Sequence, residues 1–554
     1  MTRARRETWL FWTVALVVLA AGLGLRDPWP ADEPRFALVA KQMVESGDWL
    51  FPHRGTELYS DKPPMLMWMQ AALYTLLRDW RIAFLLPSLL AALGTLWCVV
   101  DLGRRLWTRR VGLCAGYLLL FAVQFTYQAK KAQIDPLVTF WITLGVYALV
   151  RHALRGPDWR MWALAWFAAG IGTITKGVGV IALFMLVPIA FAAWRRWPGV
   201  TLPLRDARAW LGPLAFVVAV SVWLVPMVAT ALLQDTAEHR AYLHDILFRQ
   251  TAQRYANSWH HVQPPWYHLG VMATMWLPAL LALPWALPAW RRRLRRRDAR
   301  YLLPLAWWAL VLVFFAIPDG KRDVYILPAL PMACLALAPL LPGLLRRAGL
   351  RWLAFAFGLV LAAAATAAGL AMLVGEPGFE QRLLRERGWS DASAAAGLLL
   401  AIGAWGLAAL AWHRVRRAYL ALAWLLGGTW VLFSFVGYPL LNDSTSARAL
   451  MHAAGRHVGP GAELGLVAWR EQNLLQADRP AATFGFLVPW PEQLARGIAW
   501  QRDRPGARWL LVQDPALGAC IDRTRAVRVG AANRRDWWLV PAAAVRPGCD
   551  PRAR

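Results

Sequence analysis

Residues 31–64 read ADEPRFALVAKQMVESGDWLFPHRGTELYSDKPP, a dense polar stretch set directly behind an apolar run at 9–25. Two adjacent carboxylates (Asp32, Glu33), Arg35, a Gly-Asp-Trp turn, a Pro-His pair and a Tyr-Ser-Asp-Lys-Pro-Pro run crowd together here. The rest of the chain is unlike it: 58% of the 554 residues are hydrophobic, 35 are Trp, and the mean hydropathy is +0.37. That balance disfavours a soluble multidomain protein and reads as a polytopic α-helical membrane protein whose polar chemistry is gathered in a few loops.

Apolar runs recur at 82–103, 111–128, 137–151, 160–173, 177–194, 209–231, 268–290, 301–317, 324–345, 351–374, 393–412 and 418–437. With the first run they predict about thirteen transmembrane helices. The first run has no small-x-small cleavage site and many spans follow it, so it reads as a span and not as a signal peptide. The net charge of +28 would point to nucleic acid in a soluble protein. Here it lies in short Arg-rich joints at 104–110, 151–160, 195–208, 291–300, 346–351 and 414–417, as topology signals do, so no nucleic-acid partner is expected. By the positive-inside rule these joints face the cytoplasm, and the loop 26–81 and the tail lie outside.

Only six Lys occur, at 41, 62, 130, 131, 176 and 321, all on the expected outer side. In a chain that writes its topology in Arg, they read either as cations of a site or as ordinary interfacial charges. After residue 437 the long apolar runs stop. Short apolar stretches between polar turns predict a membrane domain over 1–437 and a small α/β domain over 438–554. Cys520 and Cys549 in that tail are candidates for a disulfide if it is exported, or for free thiols. Cys98, Cys114 and Cys334 read as buried small hydrophobes.

Asp32 precedes Pro34 and a helical Phe36–Val44 segment, so it suits an N-cap, and equally a carboxylate fixed at a helix end for proton transfer. Asp135, in AKKAQIDP, allows the same two readings. Lys176, Lys321, Arg322 and Tyr325, with Arg254, Tyr255, His260 and His261 of a longer loop, bring several cations and hydroxyls from different segments to one side of the membrane, as a lipid-linked phosphate would require. His53, His260, His261 and Asp61 include ligand types for a divalent ion, without a metal-type spacing. No Walker loop, GxSxG, HExxH or strand-helix GxGxxG is present, so nucleotide-driven transport, serine hydrolysis and zincin chemistry find no support.

The ordered segments DEPRFALVAKQMVESGDWLFPH, YSDKPP, IDP, TKG, QRY with H-x-x-P-x-W-Y (His261 to Tyr267), GKRDVYILP and LNDSTSAR resemble the polyprenyl-phosphate-dependent glycosyltransferases of the C-type fold. Among these the chain resembles the bacterial lipid A aminoarabinose transferases, related to protein O-mannosyltransferases, over residues 9–450. The resemblance implies Asp32 as catalytic carboxylate with Glu33 beside it, and Asp135 as a second cavity carboxylate. It implies a carrier-phosphate site of Lys62, Arg254 and Tyr325, with Lys321, Lys176, Arg35 and Tyr59 nearby, and a divalent metal (zinc or magnesium) on Asp61 and His261. Asp61 stands where Glu is usual, Ser60 where an aromatic is usual and Phe36 where a Tyr is usual. DGKRDVY replaces a KGKLPTY run. The implied function is transfer of a sugar, expected to be 4-amino-4-deoxy-L-arabinose, from undecaprenyl phosphate to lipid A or a related lipid or glycan. The enzyme would sit in the bacterial inner membrane with the site and C-terminal domain periplasmic. Rival readings are the same chemistry on another acceptor, and a non-catalytic lipid-sugar transporter.

Overall fold

A computed structural model describes residues 2–247, 261–375, 391–533 and 535–552. Among these, eight helices are long and apolar enough to cross a membrane, or up to ten if each of two bent pairs is one span. The difference from thirteen apolar runs is physical. The run 111–128 is a helix pair, Arg109–Leu120 and Val123–Ala129, bent by 72°, and the run 268–290 is another, bent by 98°. The run 324–345 opens as a 3₁₀ segment (Asp323–Ala329) and continues in the short helix Leu330–Leu337. Hydropathy records apolarity and is blind to such breaks.

Small residues set the closest helix contacts. A Cβ on Gly103 would lie 2.7 Å from the Cα of Gly112, so only glycine lets Leu86–Leu106 and Arg109–Leu120 approach this closely.

The loop 26–81 folds as a lid-like layer at one end of the bundle. Pro34 opens the helix Glu33–Ser46, and Gly47 at φ 76 ends it in the left-handed region. A two-residue hairpin follows, β1 (His53–Arg54) and β2 (Glu57–Leu58), and then the helix Met65–Leu77. Phe36, Val39, Met43, Tyr59, Leu66 and Met67 pack together over Ile134 and Leu137 of the Ile134–Arg155 span.

The last span does not stop at 437. A π turn at Phe433–Gly437 passes into Tyr438–Ser446, so the continuous helical stretch Val415–Ser446 crosses the boundary expected from composition. The α/β unit opens with Arg448–Val458. It holds β3 (Glu463–Val467), β4 (Ala481–Thr483), β5 (Arg508–Gln513), β6 (Val527–Ala532) and β7 (Arg535–Val540) in the order β4-β3-β5-β7-β6. The β4, β3 and β5 strands are parallel, and β7 pairs antiparallel with β5 and β6. Cys520 and Cys549 form a disulfide with Cα atoms 5.5 Å apart.

Candidate active site

Asp32 occupies the N-cap position of Glu33–Ser46, yet its side chain makes no capping bond. Oδ2 instead accepts from Gln133 Nε2 and from an Arg322 guanidinium nitrogen, each at 3.0 Å. Oδ1 lies 3.9 Å from Arg35. Three segments far apart in sequence therefore meet at one carboxylate. Burial pushes the Asp32 carboxyl up. Arg322, by charge and hydrogen bond, together with Arg35 and Lys176, outweighs that and holds it below the ordinary carboxylate range.

Asp135 begins the Ile134–Arg155 helix, and its Oδ1 accepts from Lys176 Nζ at 2.6 Å. The same ammonium stands 5.0 Å over the Tyr325 ring. Asp32, Arg35, Asp135, Lys176, Arg322 and Tyr325 are thus brought together, with Gln133 added.

Two expected residues lie behind this cluster. Glu33 is 4% exposed, and Arg26 grips both its oxygens, one at 2.8 Å. It also accepts from the amides of Trp29 (2.8 Å) and Ala132 (2.9 Å). These four bonds fill the acceptor capacity of the carboxylate. Glu33 therefore fastens the loop to the bundle and is not open to a substrate, contrary to a catalytic place beside Asp32. Lys321 is 2% exposed and donates to the carbonyls of Pro318 (2.6 Å) and Gln263 (3.0 Å). The cation of this motif that reaches Asp32 is its neighbour Arg322, because adjacent residues at the entry to a 3₁₀ turn point apart.

A second group flanks the first. Tyr59 is buried, and the Arg54 guanidinium stands 5.4 Å over its ring. Lys62 Nζ donates to the Asp61 carbonyl at 2.9 Å, and the Asp61 carboxylate faces Arg54 at 3.5 Å. The two groups share Glu471 of the α/β unit. Its Oε1 accepts from Arg35 Nε at 3.1 Å and stands 3.8 Å from Arg54. Phe486 of the same unit lies under the Arg54 guanidinium at 3.9 Å.

Arg254 lies outside the described residues, as do Tyr255 and His260. His261 uses its backbone carbonyl to pair with the Lys321 amide at 2.9 Å. Among the described residues no three His, Cys, Asp or Glu form a metal-holding group. A divalent cation on Asp61 would compete with the Arg54 guanidinium for that carboxylate.

Sequence reading missed Gln133, Arg322 as the partner of Asp32, Glu471, and a lock in which Asp27 takes Arg81 (2.9 Å) and Asn442 (2.8 Å). Arg322 and Asn442 stand inside quoted motifs, which was the available signal. Glu471 lies beyond the region of resemblance.

The dolichyl-phosphate-mannose-protein mannosyltransferase family matches residues 61–225. An undecaprenyl phosphate-alpha-4-amino-4-deoxy-L-arabinose arabinosyl transferase of Pectobacterium carotovorum is 32% identical over 65% of this chain and 66% of its own length. Proteins of the same name from Pseudomonas paraeruginosa and Pseudomonas aeruginosa are 30% and 31% identical, over 79% and 78% of this chain and 77% and 76% of theirs. In fold the chain is similar to crystal structures of ArnT from Cupriavidus metallidurans. The undecaprenyl phosphate-bound form gives a TM-score of 0.73 at 19% identity, over 98% of this chain and 99% of that one, and the apo form 0.70.

Proposed function

The chain belongs to the undecaprenyl phosphate-aminoarabinose arabinosyl transferases, a branch of the C-type polyprenyl-phosphate glycosyltransferases, and from that premise we propose that it transfers 4-amino-4-deoxy-L-arabinose from undecaprenyl phosphate to lipid A or a related lipid or glycan acceptor. The observation that carries the reading is the Asp32 carboxylate, held between Gln133 and Arg322 and left without a capping role at the loop-covered end of the bundle.

In one displacement the acceptor oxygen bonds to C1 of the sugar as the bond from C1 to the lipid phosphate breaks. The electron pair leaves with undecaprenyl phosphate, and the anomeric centre inverts. A phosphate acceptor is already anionic, so Asp32 orients it or the sugar; a hydroxyl acceptor passes its proton to Asp32, which its low pKa leaves ionised. Negative charge growing on the departing phosphate calls for fixed cations. Lys62, Arg35 and Arg322 are the described candidates, with Arg254 implied by resemblance.

We place the enzyme in the bacterial inner membrane with this end periplasmic. The Arg-rich joints at the other end and a disulfide in the α/β unit support that orientation. The test is mass spectrometry of lipid A after incubation with purified protein and undecaprenyl-phosphate-aminoarabinose. One added aminoarabinose is expected. No gain from a preparation that binds undecaprenyl phosphate sinks the sugar or acceptor assignment.

A further inference from the structure

Glu471 has no place in the reaction just described, yet it is 4% exposed and touches both cationic flanks of the site. Its helix, Glu471–Leu475, packs across Glu33–Ser46, and its first turn is fixed by Asn473 accepting from the Arg470 amide at 3.0 Å. The Arg35 guanidinium stands between two carboxylates. It lies 3.1 Å from Glu471 through Nε, and 3.9 Å from Asp32 through a terminal nitrogen. The shorter distance and direct hydrogen bond give Glu471 the larger share of that charge.

Without Glu471, Arg35 keeps a single carboxylate partner within ion-pair reach. Asp32 Oδ2 already accepts from Gln133 and Arg322. A second guanidinium closing on Oδ1 would fill the remaining lone pairs of Asp32 and remove Arg35 as a free cation.

We propose that Glu471, supplied by the C-terminal α/β unit, is a positioning residue of the transfer site: it holds Arg35 off Asp32 and keeps both groups open to substrate. The inference rests on the transfer reading given above. It gives the α/β unit a direct part in turnover, through one side chain that reaches into the membrane domain's loop.

The experiment is a double-mutant cycle on the full chain in liposomes with undecaprenyl-phosphate-aminoarabinose and lipid A, using wild type, Glu471→Gln, Arg35→Gln and the double variant. Glu471→Gln is expected to lower kcat about 100-fold, the scale of a misplaced reacting group. Its acid limb should move to lower pH, because a closer Arg35 lowers the Asp32 pKa further. The double variant should be no slower than Arg35→Gln alone, and Glu471→Asp should recover part of the loss. A merely structural salt bridge predicts losses that follow the folded fraction, with the pH limb unmoved; that result, or wild-type kcat in Glu471→Gln, overturns the inference. If wild type transfers no aminoarabinose, the substrate reading falls by itself, and the same cycle is read on affinity for undecaprenyl phosphate. Weaker binding in Glu471→Gln that the added Arg35→Gln relieves, at an unchanged folded fraction, upholds the positioning role, and a loss that follows the folded fraction overturns it.

Discussion

At the end of the bundle that carries Asp32, ion pairs join residues far apart in the chain. Arg322 meets Asp32 across 290 positions, Arg35 meets Glu471 across 436, and Lys176 meets Asp135 across 41. At the Arg-rich end, Asp101 takes Arg104 and Arg105, three and four residues away, and Asp298 takes Arg300 two residues away, with Arg109 to Glu7 the longer exception. The exposures differ as well: the Arg322, Arg35 and Lys176 side chains are 36%, 30% and 19% exposed, those of Arg104, Arg300 and Arg105 53%, 43% and 38%. Charges that stay in water can mark topology at small energetic cost, whereas charges taken out of water persist only where several chain segments converge to satisfy them.

The contrast is open to a graded series of substitutions. Asp32→Asn should cost the most, about 10³-fold or more in kcat with folding intact, read by mass spectrometry of the acceptor. Near-normal turnover would remove Asp32 from the chemistry. Glu33→Gln strands a buried Arg26 and should destabilise the protein by about 3–5 kcal/mol, seen as a lower thermal midpoint in detergent. An unchanged midpoint with lost turnover would return Glu33 to a chemical role.

Arg322→Gln should lower kcat/KM about 100-fold and raise the pH of the acid limb toward the ordinary carboxylate value near ~4. The sign follows from the folded state. Arg322 keeps the Asp32 carboxyl low, so without it the group protonates, and activity fails, at a higher pH. Lys321→Gln should leave that limb in place and act only on stability, by about 1–3 kcal/mol. Arg104→Gln, at the opposite end, should change stability by at most ~0.5 kcal/mol, because Asp101 keeps Arg105 and the Tyr147 hydroxyl. A larger effect there would dissolve the distinction between the two ends.

The same contrast marks what was legible in the sequence. Arg-rich joints and apolar runs are local, and most spans lie where they predict. Asp32 was readable because it begins a loop directly beyond an apolar run. Its place as an N-cap was also right, but whether the side chain caps or points into the site depends on Gln133 and Arg322, which no local pattern connects to it. Asp32 and Glu33 look equivalent in sequence and diverge because consecutive residues at a helix start face different neighbours. Glu471 carried no motif, since its meaning lies wholly in the partner it meets.

The pairing of Arg35 with Glu471 also sets an order of events in the life of the chain. At ordinary synthesis rates of ~5–20 residues per second, a separation of 436 residues means that Arg35 waits about 20–90 s for its partner to leave the ribosome. During that interval the spans enter the bilayer one after another while the loop at their end is unfinished. On the positioning role proposed for Glu471, competence for catalysis waits on the α/β unit, and a polypeptide without that unit is kept from acting on membrane lipids.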